Sequence, residues 1–303
     1  MEELLSLRAL TRRFGERLAF AGLDLSLQRG EVLGLLGANG AGKTTCLRVL
    51  SGNLAPSSGE VRVCGIALAR APLRAKQHIG YLPERPPLYL DMRVGEYLAY
   101  CARLHRILEP RLPAAVARAM QRCGLQGAER RPLATLSKGW RQRVGIAQAI
   151  VHEPDLLLLD EPTDGLDPVQ IRAVRELIRA LSAHCGIVLS SHLLPEVQAV
   201  CSRVLILRRG EVVHEARLDA EPAAPRYRVR LAGPAPPGLA ATLGAESAEV
   251  LPDGAILVEL RAGDSPAALA GRVIAAGLGL AELTPERSDL EAVFFAALAG
   301  EAA

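Results

Sequence analysis

Two hydrophobic periodicities alternate along this chain. Residues 4–36 carry short apolar runs separated by turns at Phe14-Gly15 and Arg29-Gly30, which predicts strands, and they end in Val32-Leu33-Gly34-Leu35-Leu36. A short, unbroken apolar run leading into a glycine-rich stretch reads as a strand buried on both faces. After Lys43 the spacing turns helical: Leu47, Leu50 and Leu54 share one face of a helix or its end, and Pro56 with Gly59 closes it. Further strands are predicted at 60–63 and 79–82, the second running into the prolines of 83–87.

From 91 to about 127 the spacing is helical again, with Val94, Tyr97, Leu98, Cys101 and Leu104 at turn intervals and a break at 110–113. A helix over 140–152 follows, then the strand Leu156-Leu157-Leu158-Leu159, then a helix over 169–182. Strands at 187–189 and 204–207 flank one more helix. Strands alternating with helices predict a largely parallel sheet covered on both faces. Residues 219–225 read as a linker, beyond which the composition shifts toward Ala, Gly and Pro. The tail shows alternating Tyr227, Val229 and Leu231, a strand over 255–260 and a helix over 266–276. Ser288 and Glu291 form a capping-box pattern opening a last helix through Phe294 and Phe295. The domains expected are therefore 1–218, with a helical insert over about 88–152, and a small α+β unit over 226–303.

Composition narrows this picture only a little. At 303 residues, half of them apolar and 23% charged, the chain has the makeup of a globular protein with room for one large and one small domain. A net charge of +3 argues against nucleic acid as a partner. The six cysteines, at 46, 64, 101, 123, 185 and 201, include no Cys-x-x-Cys pair and read as reduced thiols. With an acidic amino terminus and no run of ~20 uncharged apolar residues, the expected location is the cytoplasm, with any membrane association made through a partner.

Chemistry enters at Gly37-Ala38-Asn39-Gly40-Ala41-Gly42-Lys43-Thr44, which fits the P-loop pattern directly after a buried strand. Its glycines let successive N–H groups turn inward around phosphates, so Asn39, Gly40, Ala41, Gly42, Lys43, Thr44 and Thr45 are candidate contacts to a nucleotide's phosphates. Lys43 reaches the outer phosphates as a point charge, and the Thr44 hydroxyl can ligate Mg²⁺. Strand 156–159 delivers Asp160 and Glu161 at its carboxyl end, where open α/β sheets bind ligands. Asp160 can then hold Mg²⁺ through water while Glu161 approaches the attacking water. The plainer reading of this acidic pair is a cap on the next helix.

Upstream of that strand, Leu136-Ser137-Lys138-Gly139-Trp140-Arg141-Gln142-Arg143 resembles the signature segment of the ABC ATPases. That resemblance implies a P-loop NTPase core with an antiparallel β subdomain and a helical subdomain, working as a head-to-tail pair on ATP and Mg²⁺. In such a pair Ser137, Lys138, Gly139 and Trp140 would meet the nucleotide held by the other subunit, although alone Ser137 is a plain helix cap. Asp164-Gly165-Leu166-Asp167 resembles the D-loop, which assigns Asp167, and Ser190-Ser191-His192 resembles the switch histidine, which pairs His192 with Glu161 as the catalytic residues. Phe14 matches the aromatic that stacks on adenine, with ordinary packing as the alternative.

Three positions depart from the usual pattern: Glu84 stands where Gln normally serves Mg²⁺, Lys138 replaces a signature glycine, and Trp140 replaces its glutamine. Glu84 and Ser-Lys-Gly-Trp are similar to the ATPases of ABC-2 type exporters, including the gliding-associated group, and the tail resembles their accessory domain. The resemblance implies membrane permease subunits and a second ATPase subunit, identical or different, as partners, with the chain peripheral on the inner face of the cell membrane. The helical insert would dock the permease, with Tyr89 and Tyr100 as contact residues. A soluble ABC machine and a nucleotide-gated regulatory module are the competing readings.

Overall fold

The computed structural model describes residues 2–218, 226–233, 236, 238–261, 263–285 and Phe294. They fall into two compact units, one holding residues 2–218 and the other lying within 226–285. Phe294, expected in the small unit, groups with the large one. The last predicted helix, with Ser288 and Glu291, otherwise lies outside the described residues.

In the large unit, β1 (Glu3–Phe14) and β2 (Arg17–Gln28) form a long antiparallel hairpin. β4 (Ser58–Val63) and β5 (Ile66–Ala67) extend it into a four-stranded sheet of order β2-β1-β4-β5. The second sheet contains β3 (Val32–Leu36), β6 (Ile79–Leu82), β7 (Leu156–Leu159), β8 (Gly186–Ser191), β9 (Arg203–Arg208) and β10 (Glu211–Arg217), in the order β10-β9-β3-β8-β7-β6. All its pairings are parallel except that of β10 with β9. Every residue of β3, β7 and β8 is buried, which is why these strands read as unbroken apolar runs rather than as alternations.

Helices α1 (Lys43–Leu50), α2 (Pro72–Lys76), α6 (Pro168–Ser182) and α7 (Leu194–Val200) connect these strands. The insert consists of α3 (Val94–Leu104), a 3₁₀ turn at Glu109–Arg111, α4 (Leu112–Arg122) and, after a second 3₁₀ turn at Leu133–Thr135, α5 (Lys138–Ile150). Two helices of this unit depart from the expected boundaries for a physical reason. α1 stops at Leu50, leaving Leu54 in the following turn packed on the same core. α5 starts two residues earlier than Trp140, because Ser137 caps it, and it ends at Ile150, short of His152. Gly80 lets the insert seat on β6, since a Cβ there would lie 2.2 Å from the Ala149 carbonyl oxygen of α5.

The small unit runs β11 (Arg226–Leu231), α8 (Leu239–Thr242), β12 (Ser247–Val250), β13 (Ile256–Glu259), α9 (Pro266–Ala275) and β14 (Leu280–Pro285). This is a β-α-β-β-α-β chain with the antiparallel sheet order β12-β13-β11-β14, the split-βαβ arrangement. Val229, Ile256, Val258, Leu269 and Val273 fill its core. Among the described residues of both units, no helix is long and apolar enough to cross a membrane.

One polar feature sits inside the insert. The His105 ring stacks on His152, with centroids 3.6 Å apart and planes 6° from parallel, and His152 Nε2 hydrogen-bonds the Ile79 carbonyl at 3.1 Å. Burial, and then the neighbouring His105, push the His152 pKa down to about 3; burial lowers His105 as well. A histidine with a depressed folded pKa costs stability as pH falls below its unfolded value of about 6.5. His152→Gln keeps a donor for Ile79 and is expected to flatten the decline in unfolding free energy just below that pH by up to ~1.4 kcal/mol per pH unit. Urea unfolding between pH 7.5 and about pH 5 measures it; an unchanged pH slope would contradict the expectation.

Candidate functional site

A cleft of about 480 Å³ opens where the loop after β3 enters α1. The loop works only with glycine at Gly42, whose φ is +107° and where a Cβ would lie 2.3 Å from the Ala19 carbonyl oxygen of β2. The amides of the turn and the amino end of α1 thus make a positive, N–H-rich concavity suited to phosphates. Asn39, Gly40, Gly42, Lys43, Thr44 and Thr45 line it, while Ala41 is buried beneath.

Lys43 is 5% exposed, so its charge is held out of water. Its ammonium donates to the carbonyls of Gly37 at 2.7 Å and Ala38 at 3.1 Å and lies 3.3 Å from Glu161 Oε1. Glu161 Oε2 in turn sits 2.9 Å from His192 Nδ1 at the end of β8. Three side chains from three elements therefore form one chain, Lys43–Glu161–His192, along the cleft. Glu161 adopts φ +45°, an uncommon conformation for a residue with a side chain, and its amide donates to Ser190 Oγ at 2.9 Å.

Asp160 lies one residue before, fully buried. Its Oδ1 accepts hydrogen bonds from Ser190 Oγ at 2.7 Å and Thr44 Oγ1 at 3.0 Å, and its buried Oδ2 has no protein partner. Burial raises the Asp160 carboxyl above the ordinary carboxylate range; Ser190 and Thr44 pull it down, and the charges of Glu161 and Glu84 add to the rise. An unsatisfied, water-excluded carboxylate oxygen beside a threonine hydroxyl is a fit for a hard divalent cation such as Mg²⁺. Glu84 also lines the cleft. Phe14 stands on the rim, 46% exposed, with the Arg12 guanidinium 4.4 Å from its ring centre.

The remaining predicted residues sit elsewhere. Ser137, Lys138, Gly139 and Trp140 do not line the cleft; they form the amino end of α5, where Ser137 Oγ accepts from the Trp140 amide at 3.4 Å. The Arg131 and Arg143 guanidiniums lie 5.4 and 5.9 Å from the centre of the Trp140 ring. Asp167 caps α6, accepting from the Gln170 amide at 2.9 Å. Lys138 pairs with Asp164, which lines the cleft, at 3.6 Å.

Several contributors were not visible in the sequence. Arg17, Leu18 and Ala19 of β2 form a wall of the cleft, placed there by the hairpin alone. Ser190 ties Asp160 to the Glu161 backbone. Glu196, buried in α7, accepts from the Thr163 hydroxyl and lies 3.4 Å from Ser191 Oγ, so it joins the segment after Glu161 to the one before His192. Gln142 Nε2 donates to the Pro162 carbonyl at 2.9 Å, pinning α5 to the same turn. A buried carboxylate in an otherwise apolar helix face was the only signal available for Glu196.

The doubly covered parallel sheet, the glycine loop feeding a helix and the Asp-Glu pair on a neighbouring strand define a P-loop nucleoside triphosphatase. The family profile described as ABC transporter matches residues 20–164. The uncharacterised ABC transporter ATP-binding protein YdbJ of Bacillus subtilis (strain 168) is 33% identical over 98% of this chain and 96% of its own length. The ABC transporter ATP-binding protein NatA of the same organism is 37% identical over 72% of this chain and 91% of its own. The structure of cbiO1 from Clostridium perfringens, described as part of the ABC transporter complex cbiONQ, superposes with a TM-score of 0.66 at 27% identity, covering 72% of this chain and 90% of that one. The chain belongs to the family of ABC transporter ATP-binding proteins, and it is an ATP-binding, ATP-hydrolysing cassette.

The raised Asp160 carboxyl carries a stability cost at neutral pH, because the native state holds that proton more tightly than the unfolded chain and loses stability as pH rises through the titration. Asp160→Asn keeps an oxygen for Thr44 and Ser190 and is expected to raise the melting temperature of the nucleotide-free protein, by ~2–4 °C per kcal/mol recovered. The same change should abolish the stabilisation that Mg-ATP gives the wild type. Differential scanning calorimetry with and without Mg-ATP checks both; a lower melting temperature for the nucleotide-free variant would refute the cost.

Proposed function

We propose that this chain is the ATP-hydrolysing subunit of an ABC-2 type transporter, closing as a pair around two Mg-ATP and driving separate membrane permease subunits in export. The observation that carries the hydrolytic part is the Lys43–Glu161–His192 chain at 3.3 and 2.9 Å, set along the cleft beside the orphaned Asp160 oxygen. Lys43, freed from the Gly37 and Ala38 carbonyls, neutralises the outer phosphates together with the loop amides. Glu161 accepts a hydrogen bond from the attacking water, and His192 holds Glu161 and the terminal phosphate in register. Thr44, Asp160 through water, and Glu84 would hold Mg²⁺, which supplies charge neutralisation on the phosphate oxygens. Phe14 stacks on the adenine from the rim.

Pairing is supported by where the signature sits. Ser137, Lys138, Gly139 and Trp140 occupy a helix amino end outside their own chain's cleft, and the positive end of α5 suits a phosphate presented by another subunit. Asp167, the cap of α6, would meet the second subunit as well. For the permease, Tyr89 and Tyr100 pack edge to face at 5.6 Å while remaining 55% and 36% exposed, and Leu90 and Leu104 are exposed near them in sequence. The position of cbiO1 within a transporter complex supports the same role here. Glu84 and the Ser-Lys-Gly-Trp signature support the ABC-2 placement, and the alignment with YdbJ over 98% of this chain supports a tail over 226–303 shared with that relative as an accessory domain. The location that follows is cytoplasmic, against the inner face of the membrane.

Glu161→Gln leaves the shape of the site and removes the acceptor for the water proton. It is expected to retain ATP binding and lower turnover by ~10²–10⁴-fold. Steady-state phosphate release alongside nucleotide binding measures this; turnover near wild type would remove Glu161 from the mechanism.

A further inference from the structure

The parallel strands bring their carboxyl ends to the nucleotide cleft; at their amino ends lies a second cluster of reactive groups. His78 immediately precedes β6 and Asp155 immediately precedes β7, and the two strands pair in parallel from Ile79 opposite Leu156. Cys64 comes from a different sheet, in the tight turn between β4 and β5. One ligand atom from each of Cys64, His78 and Asp155 lies within 4.8 Å of the others. His78 Nδ1 is already 2.7 Å from Asp155 Oδ2.

The remaining Asp155 oxygen, Oδ1, is fixed by Arg29 Nη2 at 2.6 Å, and Arg29 is itself held by the His184 carbonyl at 2.7 Å and by Glu2 at 3.2 Å. A carboxylate with one oxygen oriented by an outer partner, the other beside an imidazole, and a thiol close by has the build of a metal ligand set. Cys64 is also the one cysteine that is not buried; the other five are packed inside the unit. Burial, then the charges of Asp155 and Glu2, keep its thiol protonated in the free protein, up to about 11, which rules out a role as a free nucleophile.

We propose that Cys64, His78 and Asp155 form a binding site for one divalent transition-metal ion of the zinc class, separate from the nucleotide cleft. One sulfur, one imidazole nitrogen and one carboxylate oxygen match the ligand preferences of Zn²⁺ and disfavour Mg²⁺ and Ca²⁺, which take oxygen. Binding replaces the Cys64 proton, releasing it to solvent, and leaves a further coordination position for water. The ion ties a turn of the antiparallel sheet to the amino ends of two strands of the central sheet, so its consequence is stability rather than chemistry.

Co²⁺ is a suitable probe, because its bond to a thiolate produces a charge-transfer absorption that carboxylate and imidazole sites lack, and no cysteine lines the nucleotide cleft. Titrating the metal-free full chain with Co²⁺ is expected to give that absorption saturating at one ion per chain, bleached by Zn²⁺. Cys64→Ser should eliminate the absorption, and His78→Ala should weaken Co²⁺ binding by at least ~10-fold, the size of effect expected for a metal ligand set. Both variants should keep wild-type ATP turnover, and Zn²⁺ should raise the melting temperature of the wild type and not of Cys64→Ser. No thiolate absorption in the wild type, absorption surviving in Cys64→Ser, or unchanged affinity in His78→Ala would each overturn the site. Loss of ATP turnover in Glu161→Gln bears only on the cleft and leaves this result independent.

Discussion

The structure depends on one carboxylate kept out of water. Four buried leucines in succession carry β7 between β8 and β6, and the strand leads into Asp160, fully buried, with two hydroxyls on one oxygen and no protein partner on the other. An arrangement of this kind costs stability in the free protein, since a buried polar atom without a partner forfeits the hydrogen bond it would make in water. It persists because the surroundings over-determine it. Ser190 bonds both Asp160 and the strained Glu161 backbone, Thr44 approaches from α1, and the sheet on either side admits no slack. The site is thereby built for a charge that arrives with the nucleotide, and the stability withheld from the free state becomes a difference between the two states.

The same turn links the moving parts. Gln142 and Lys138 reach from α5 to the Pro162 carbonyl and to Asp164, and Glu196 reaches from α7 to Thr163, so the three consecutive residues after Glu161 are held by two elements. Any shift at Glu161 on binding a phosphate has therefore to be absorbed by the helical insert or by α7. The buried Glu196 and Gln142 contacts transmit such a shift more firmly than the exposed Lys138 pair, which solvent weakens.

What the sequence disclosed and what it withheld divide along a physical line. The P-loop, the Asp160-Glu161 pair and His192 could be placed together from the sequence because each is a local pattern, a segment that directly follows a buried strand. Arg17, Leu18 and Ala19 were not, because only the pairing of β1 with β2 brings them to the cleft. Ser190 and Glu196 act through partners ~30 residues away, a separation that no periodicity encodes. In the small unit β11, β13 and α9 were read correctly from their apolar alternation or helical spacing. β12 and β14 were missed, since neither has a fully buried residue and each finds its place by pairing with a neighbour. β10 escaped for the same reason at the sheet's antiparallel edge.

Parallel strands have two chemically different ends, and this protein uses them differently. At the carboxyl ends, loops enter helix amino termini and gather groups that bind and turn over an anion. At the amino ends, the chain arrives from helices whose carboxyl ends favour positive charge, and there Asp155 is met by Arg29 and His78. A cation seated beside Cys64 would therefore occupy the electrostatically natural end of the sheet, as the phosphates do at the other. Because the paired strands β6 and β7 span both regions, a bond fixed at their amino ends stiffens the frame on which Asp160 and Glu84 are carried, without entering the cleft itself.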